Sequence, residues 1–119
     1  MGRYLNGINY DQPLPPPLVY VVTRDRLLSG KGILKVRTNG WIQAENMPMG
    51  ITGATKQNPS TYEIYALFDC FISRHAAIAC AAARIEHEIS EERYKFQAIE
   101  NRLRATLATV IKEVADDKV

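Results

Sequence analysis

The stretch "STYEIYALFDCFISRHAAIACAAARIEHEISEER", Ser60 to Arg93, decides how this chain is organised. It opens on an S-x-x-E pattern, Ser60 with Glu63, directly behind Pro59, the arrangement in which a serine hydroxyl and a glutamate carboxylate satisfy each other's end of a helix start. From Ser60 to Val119 there is neither glycine nor proline. Apolar positions recur at steps of four and three from Ile64 through Phe68, Phe71 and onward to Val110 and Val114, with His75 and Glu92 as the polar members. Steps of four and three average 3.5 residues, the period of a left-handed coiled coil, and the two consecutive fours around Leu103 and Leu107 form a stutter that unwinds it locally. The pattern predicts a helix from Thr61 to about Ala115. A break at Ser90, with Glu91 and Glu92 in a second first turn, would give a helical hairpin instead. The seam continues through Ile85 and Ile89 without glycine, proline or asparagine, which favours one long helix.

Size gives that helix a consequence. At 1.5 Å per residue it would be roughly 80 Å long, whereas a compact chain of this length is roughly 35 Å across. The first sixty residues are too few to cover such a ridge, so other copies of the chain are expected to do so. The alanines point the same way: Ala76, Ala77, Ala79, Ala81, Ala82 and Ala83 make a smooth surface on which a second helix can approach closely and gain dispersion contacts. The expected oligomer interface is Phe68 and Phe71 at the start, then Ile78, Ala82, Ile85 and Ile89, then Phe96, Ile99 and Leu103.

Upstream the periodicity is different. Residues 1–17 show no regular period, and "PLPPP", Pro13 to Pro17, imposes an extended polyproline conformation; this segment is predicted to be an extended arm that lies on its own or a neighbouring subunit. "LVYVVT", Leu18 to Thr23, is a β-branched and aromatic strand. "ILKVRTNGWIQAEN" predicts a hairpin turning at Asn39-Gly40, with Thr38 facing Trp41, Val36 facing Gln43 and Leu34 facing Glu45. Leu34, Val36 and Trp41 then share the core face, and Lys35, Arg37 and Ile42 the other. Arg24 to Gly32 reads as a loop and Met47 to Pro59, with two prolines and two glycines, as a connector. The fold class is therefore α+β: an extended Pro-rich arm (1–17), a small antiparallel meander of about three strands with its connector (18–59), and a long C-terminal helix or helical hairpin (60–119), within one domain.

With 46% apolar and 24% charged residues, the 119-residue chain has an ordinary folded composition. The net charge of +2 is unevenly spread: residues 1–60 carry seven Lys or Arg against three acids, and residues 61–119 carry eight against ten. A basic front can dock an acidic tail or a phosphate backbone. Cys70 and Cys80 are ten residues apart in a helical pattern and are expected to be reduced thiols. The N-terminus lacks the apolar block of a signal peptide, and Asp69, Arg74 and His75 interrupt the apolar run from Ile64 to Ala83. A cytoplasmic location, or one within an assembled particle, with no membrane contact, is expected.

No arrangement of reactive residues supports catalysis or metal binding. His75 and His87 are twelve apart and Cys80 is five from His75, spacings that do not stack ligands on neighbouring turns. Cys70 and His75 diverge by about 140° around a helix. Glu86, Glu88, Glu91 and Glu92 alternate with Arg84, Arg93 and Lys95 as a solvated, paired face does. The expected function is that of a non-enzymatic structural subunit, without cofactor, in a homo-oligomeric ring, stalk or shell, a virion part being one such form. The partners are copies of itself and other subunits of the same assembly. The alternative is a small oligomeric nucleic-acid-binding protein using Arg24, Arg26, Lys31, Lys35 and Arg37, with Tyr20 and Trp41 as stacking groups.

Overall fold

The computed structural model describes residues 2–45 and 47–117, and describes side chains for these except Ala44, Met47 and residues 114–117, so the last seam member, Val114, lies outside the described side chains. Contacts divide the chain into two units, a body Met1–Ile85 and a helical segment Glu86–Val119.

The body is built on a curled antiparallel sheet of five strands: β3 (Leu18–Val21), β4 (Leu34–Ala44), β5 (Met47–Ala54), β6 (Glu63–Ala66) and β7 (Cys70–Phe71), ordered β6-β5-β4-β3-β7. Ahead of it stand two short paired strands, β1 (Tyr4–Leu5) and β2 (Ile8–Asn9). Helix α1 (Arg24–Leu28) lies between β3 and β4, and α2 (Arg74–Asp117) follows β7 as one continuous helix through Ser90. The class is α+β, with more strand than the sequence predicts.

The N-terminal segment lies on its own chain, as one of the expected placements had it, but Tyr4–Asn9 form a hairpin and are not a uniformly extended arm. Asn6 and Gly7 both take positive φ, 54° and 81°, the conformation a two-residue hairpin turn requires and Asn-Gly supplies at low cost. The turn places Ile8 at full burial in the core. Asn6 Nδ2 donates to the carbonyls of Phe68 and Cys70 at 3.0 Å each, and its own carbonyl accepts from Ile72 N–H at 3.2 Å. Further on, the polyproline stretch lies beside β4: Thr38 N–H donates to Pro17 O at 3.0 Å, its hydroxyl to Pro16 O, and Trp41 Nε1 to Gln12 O at 3.0 Å.

The central strands correct the expected hairpin. β4 runs straight through Asn39-Gly40, and the chain reverses between Ala44 and Met47. The predicted turn would set Leu34 against Glu45 and Val36 against Gln43; the observed register sets Val21 against Leu34 and Val19 against Val36, pairing apolar side chains across the strands. A register shift between Thr38 and Gly40 moves the alternation by one residue. Leu34, Val36 and Trp41 therefore still reach the same core. The expected connector from Met47 is strand β5 as far as Ala54. Its glycines mark close backbone approach instead of turns: a Cβ on Gly50 would stand 2.5 Å from Tyr65 O, and one on Gly53 would stand 2.7 Å from Arg37 O and against Val36.

The helix start also moves. Residues 63–66 are strand β6, with Tyr65 buried while Glu63, Ile64 and Ala66 are exposed, and a single 3-10 turn (Leu67–Asp69) leads into β7. Ser60 caps nothing there; the cap of α2 is Ser73, whose Oγ accepts from Ala76 N–H at 3.3 Å and whose carbonyl accepts from Ala77 N–H at 3.1 Å. An apolar run spaced at four and three also contains near-alternation, and the aromatic and β-branched content of "YEIY" favours the extended form.

Two clusters hold the body. Ile8, Val19, Val21, Val36, Ile51, Tyr65, Leu67 and Cys70 fill one side of the sheet. On the other, Ala77 and Ala81, one helical turn apart on α2, pack with Val22 and Phe71. Arg84 clamps the same helix, Nη1 donating to Val22 O at 2.9 Å and to Asp69 Oδ1 at 3.3 Å. The close approach that alanine permits is thus made, at Ala77 and Ala81, by the chain's own sheet.

Candidate functional site

Two features are candidates for contact with something outside the chain: the apolar seam of α2 and a basic groove on the body. Of the expected interface residues, Phe71 is withdrawn into the core, 7% exposed, because β7 and not a helix carries it. Phe68 sits in the 3-10 turn, 73% exposed, off the helix altogether. Ile78, Ala82 and Ile85 lie exposed on the part of α2 that belongs to the body. Within the helical segment, Ile89 is 46% exposed, Phe96 68% and Leu103 61%, and Ile99, Leu107 and Val110 are exposed with them. The charged residues around this seam pair along the helix: Arg104 with Glu100 at 2.9 Å, Lys95 with Glu92 at 3.7 Å, and His87 with Glu91 at 3.8 Å. His75, expected as a seam spacer, is exposed in the first turn of α2.

The basic groove is a separate feature, wholly within the body. It is an open cavity of about 910 Å³, lined by Arg26 of α1, Lys31 of the following loop, Lys35 and Arg37 of β4, and Lys56 just beyond β5. One carboxylate, Glu63, lines it with them. Four of the five basic residues named from the sequence are thereby brought together. The fifth, Arg24, is exposed on α1 and is not part of the lining. Lys56 was missed: it stands in a Gly- and Pro-punctuated stretch, and only the strand β5 carries it back beside β4. Arg26 Nε donates to Gly32 O at 3.2 Å, which fixes the loop carrying Lys31. Among the described residues, no carboxylate comes within ion-pair distance of Lys31, Lys35, Arg37 or Lys56. The two aromatics expected to stack are committed elsewhere: Trp41 packs on the first core cluster and Tyr20 on the second.

At the groove wall the Tyr65 hydroxyl donates to Glu63 Oε2 at 3.2 Å. Burial, reinforced by the Glu63 charge, holds that phenol above its ordinary pKa. Cys70 is buried, with its thiol 3.3 Å from Ala66 O, and burial pushes its pKa up to about 12, which makes it unreactive. No three His, Cys, Asp or Glu side chains converge as a metal site among the described residues, and no helix there is long and apolar enough to cross a membrane. No family model, curated protein or solved structure matches the chain.

Proposed function

We propose that this chain is a non-enzymatic structural subunit that associates with copies of itself through α2. The observation that carries the reading is the exposed seam of the helical segment, where Ile89, Phe96, Ile99 and Leu103 stand at coiled-coil spacing with none of the described side chains covering them. Fully burying such a side chain stabilises by about 1.5–3 kcal/mol, so completing the burial of half-exposed ones adds about 1 kcal/mol each per chain. A lone helix gains no comparable term, and most helical stability in proteins comes from packing of such an apolar face.

The flanking charges favour a parallel, in-register pair. With Ile89 and Phe96 at a positions and Ile85 and Ile99 at d, Glu88 and Lys95 fall at g, and Arg93 and Glu100 at e. In a parallel pair each g residue meets the e residue five positions on in the partner, giving Glu88 against Arg93 and Lys95 against Glu100, both of opposite sign. Glu92 at d is a polar position that sets register at some cost in stability. A ring, stalk or shell, including one in a virion, is the form of assembly such a subunit suits.

Ile89→Asp tests the reading. Sedimentation velocity should show the variant dissociating to monomer, and circular dichroism should show loss of the helical signal from residues beyond 86 while the sheet survives. An unchanged sedimentation coefficient with unchanged helicity would refute it.

A further inference from the structure

We propose that the basic groove of the body binds the phosphate backbone of a single-stranded nucleic acid, without reading its sequence. The inference does not rest on association through α2, since every residue of the groove lies within Met1–Ile85. Five cationic side chains from four separate segments converge on one concavity against a single carboxylate. Four of the cations have no acidic partner among the described residues. Like charges brought together repel unless an anion joins them, so such a convergence stabilises a polyanion complex more than the free fold. Lys35 and Arg37 are alternate residues of one strand, on one side of it and about 6.8 Å apart, comparable with the repeat of an extended nucleotide backbone.

The lining between the cations separates nucleic acid from an acidic peptide. Leu18 and Pro59 line the groove together with the charged groups, and Asn58 and Thr61 add hydrogen-bonding groups, while Ile33 and Leu34 reach its wall from the core clusters on which they pack. Each nucleotide brings one negative charge and one flat base whose face can lie on apolar side chains such as Leu18 and Pro59; a run of Asp or Glu brings its charge without such a face. A volume of about 910 Å³ is at the upper end of the roughly 300–1,000 Å³ of small-molecule sites. A flexible single strand can follow a concave wall, whereas a stiff duplex cannot bend into it. Tyr20 and Trp41 are committed to the core and Tyr65 at the groove wall is only 8% exposed, so stacking adds little and affinity should be mainly electrostatic.

Fluorescence anisotropy with a labelled oligothymidylate of about 12 nucleotides, within the site sizes usual for single-strand grooves, tests this on the full chain. Binding should weaken from about 50 to 200 mM salt with a log–log slope near −3.5, the value for five phosphate contacts. Lys35→Gln with Lys56→Gln should flatten the slope to about −2 and weaken binding at least about tenfold at low salt. The charge-matched control Arg74→Gln with Lys112→Gln, at exposed positions outside the groove, should bind as the parent does. Circular dichroism confirms that each variant is folded. The assignment is overturned if no binding occurs at low salt, if both double variants weaken equally, if a duplex of the same length binds as tightly, or if polyglutamate displaces the oligonucleotide as well as unlabelled strand does.

Discussion

Gly50 shows how one residue's lack of a side chain sets the sheet. A methyl group there would press on Tyr65 O at 2.5 Å, and β6 would have to separate from β5 to admit it. Gly50→Ala should therefore destabilise the protein by about 1–3 kcal/mol, the range for overpacking, seen as a lower urea midpoint. Gly40→Ala, whose nearest neighbour would be 4.0 Å away, should leave it nearly unchanged. Cys70 gives a pH-dependent counterpart. Its folded pKa is raised to about 12 from an ordinary 9.0, so the folded state retains a proton that the unfolded state releases. Stability from this source is full below pH 9 and falls as the pH rises toward 12, and the raised Tyr65 phenol adds to the same slope. Cys70→Ala should flatten alkaline unfolding followed by circular dichroism. In the native parent at pH 8 a thiol reagent should modify the half-buried Cys80 and spare Cys70 until denaturant is added.

Among the elements, α2 joins two kinds of surface. Its first three turns are fixed by Ala77, Ala81 and Arg84, and its later turns display apolar side chains at a regular spacing. That contrast was only partly legible in the sequence. The helix was visible because no glycine or proline interrupts it, and the apolar positions counted from Ile78 to Val110 all fall within α2 and are exposed. Ahead of Arg74 the same count ran through Ile64, Phe68 and Phe71, which are a strand, a 3-10 turn and a strand, because so short an apolar run satisfies both periods. The alternation of charge sign across the proposed seam gives a sharper test of its direction. Arg93→Glu should weaken association several-fold by setting like charges at g and e, and adding Glu88→Lys should restore it. Failure of the second change to restore association, measured by sedimentation equilibrium, would argue against parallel order.

At the scale of the whole molecule, the α+β class and the placement of β3 were readable from composition and alternation, because Val19, Val21 and Val36 can be satisfied only by a core. The N-terminal hairpin was not readable with equal ease. Asn6-Gly7 and Asn39-Gly40 carry the same turn chemistry, and only the long-range pairing of Val36 with Val19 decides that the second is passed over. The basic groove was legible as a list of cations but not as a place, since Lys56 joins it only through the return of β5. Both candidate surfaces depend on residues that the fold leaves uncovered, and the larger uncovered set is the seam. Light scattering coupled to size-exclusion chromatography, run on the full chain over a dilution series, measures its consequence directly: the expected mass is at least twice 13.4 kDa. A single, well-folded species of 13.4 kDa at every concentration would contradict the account.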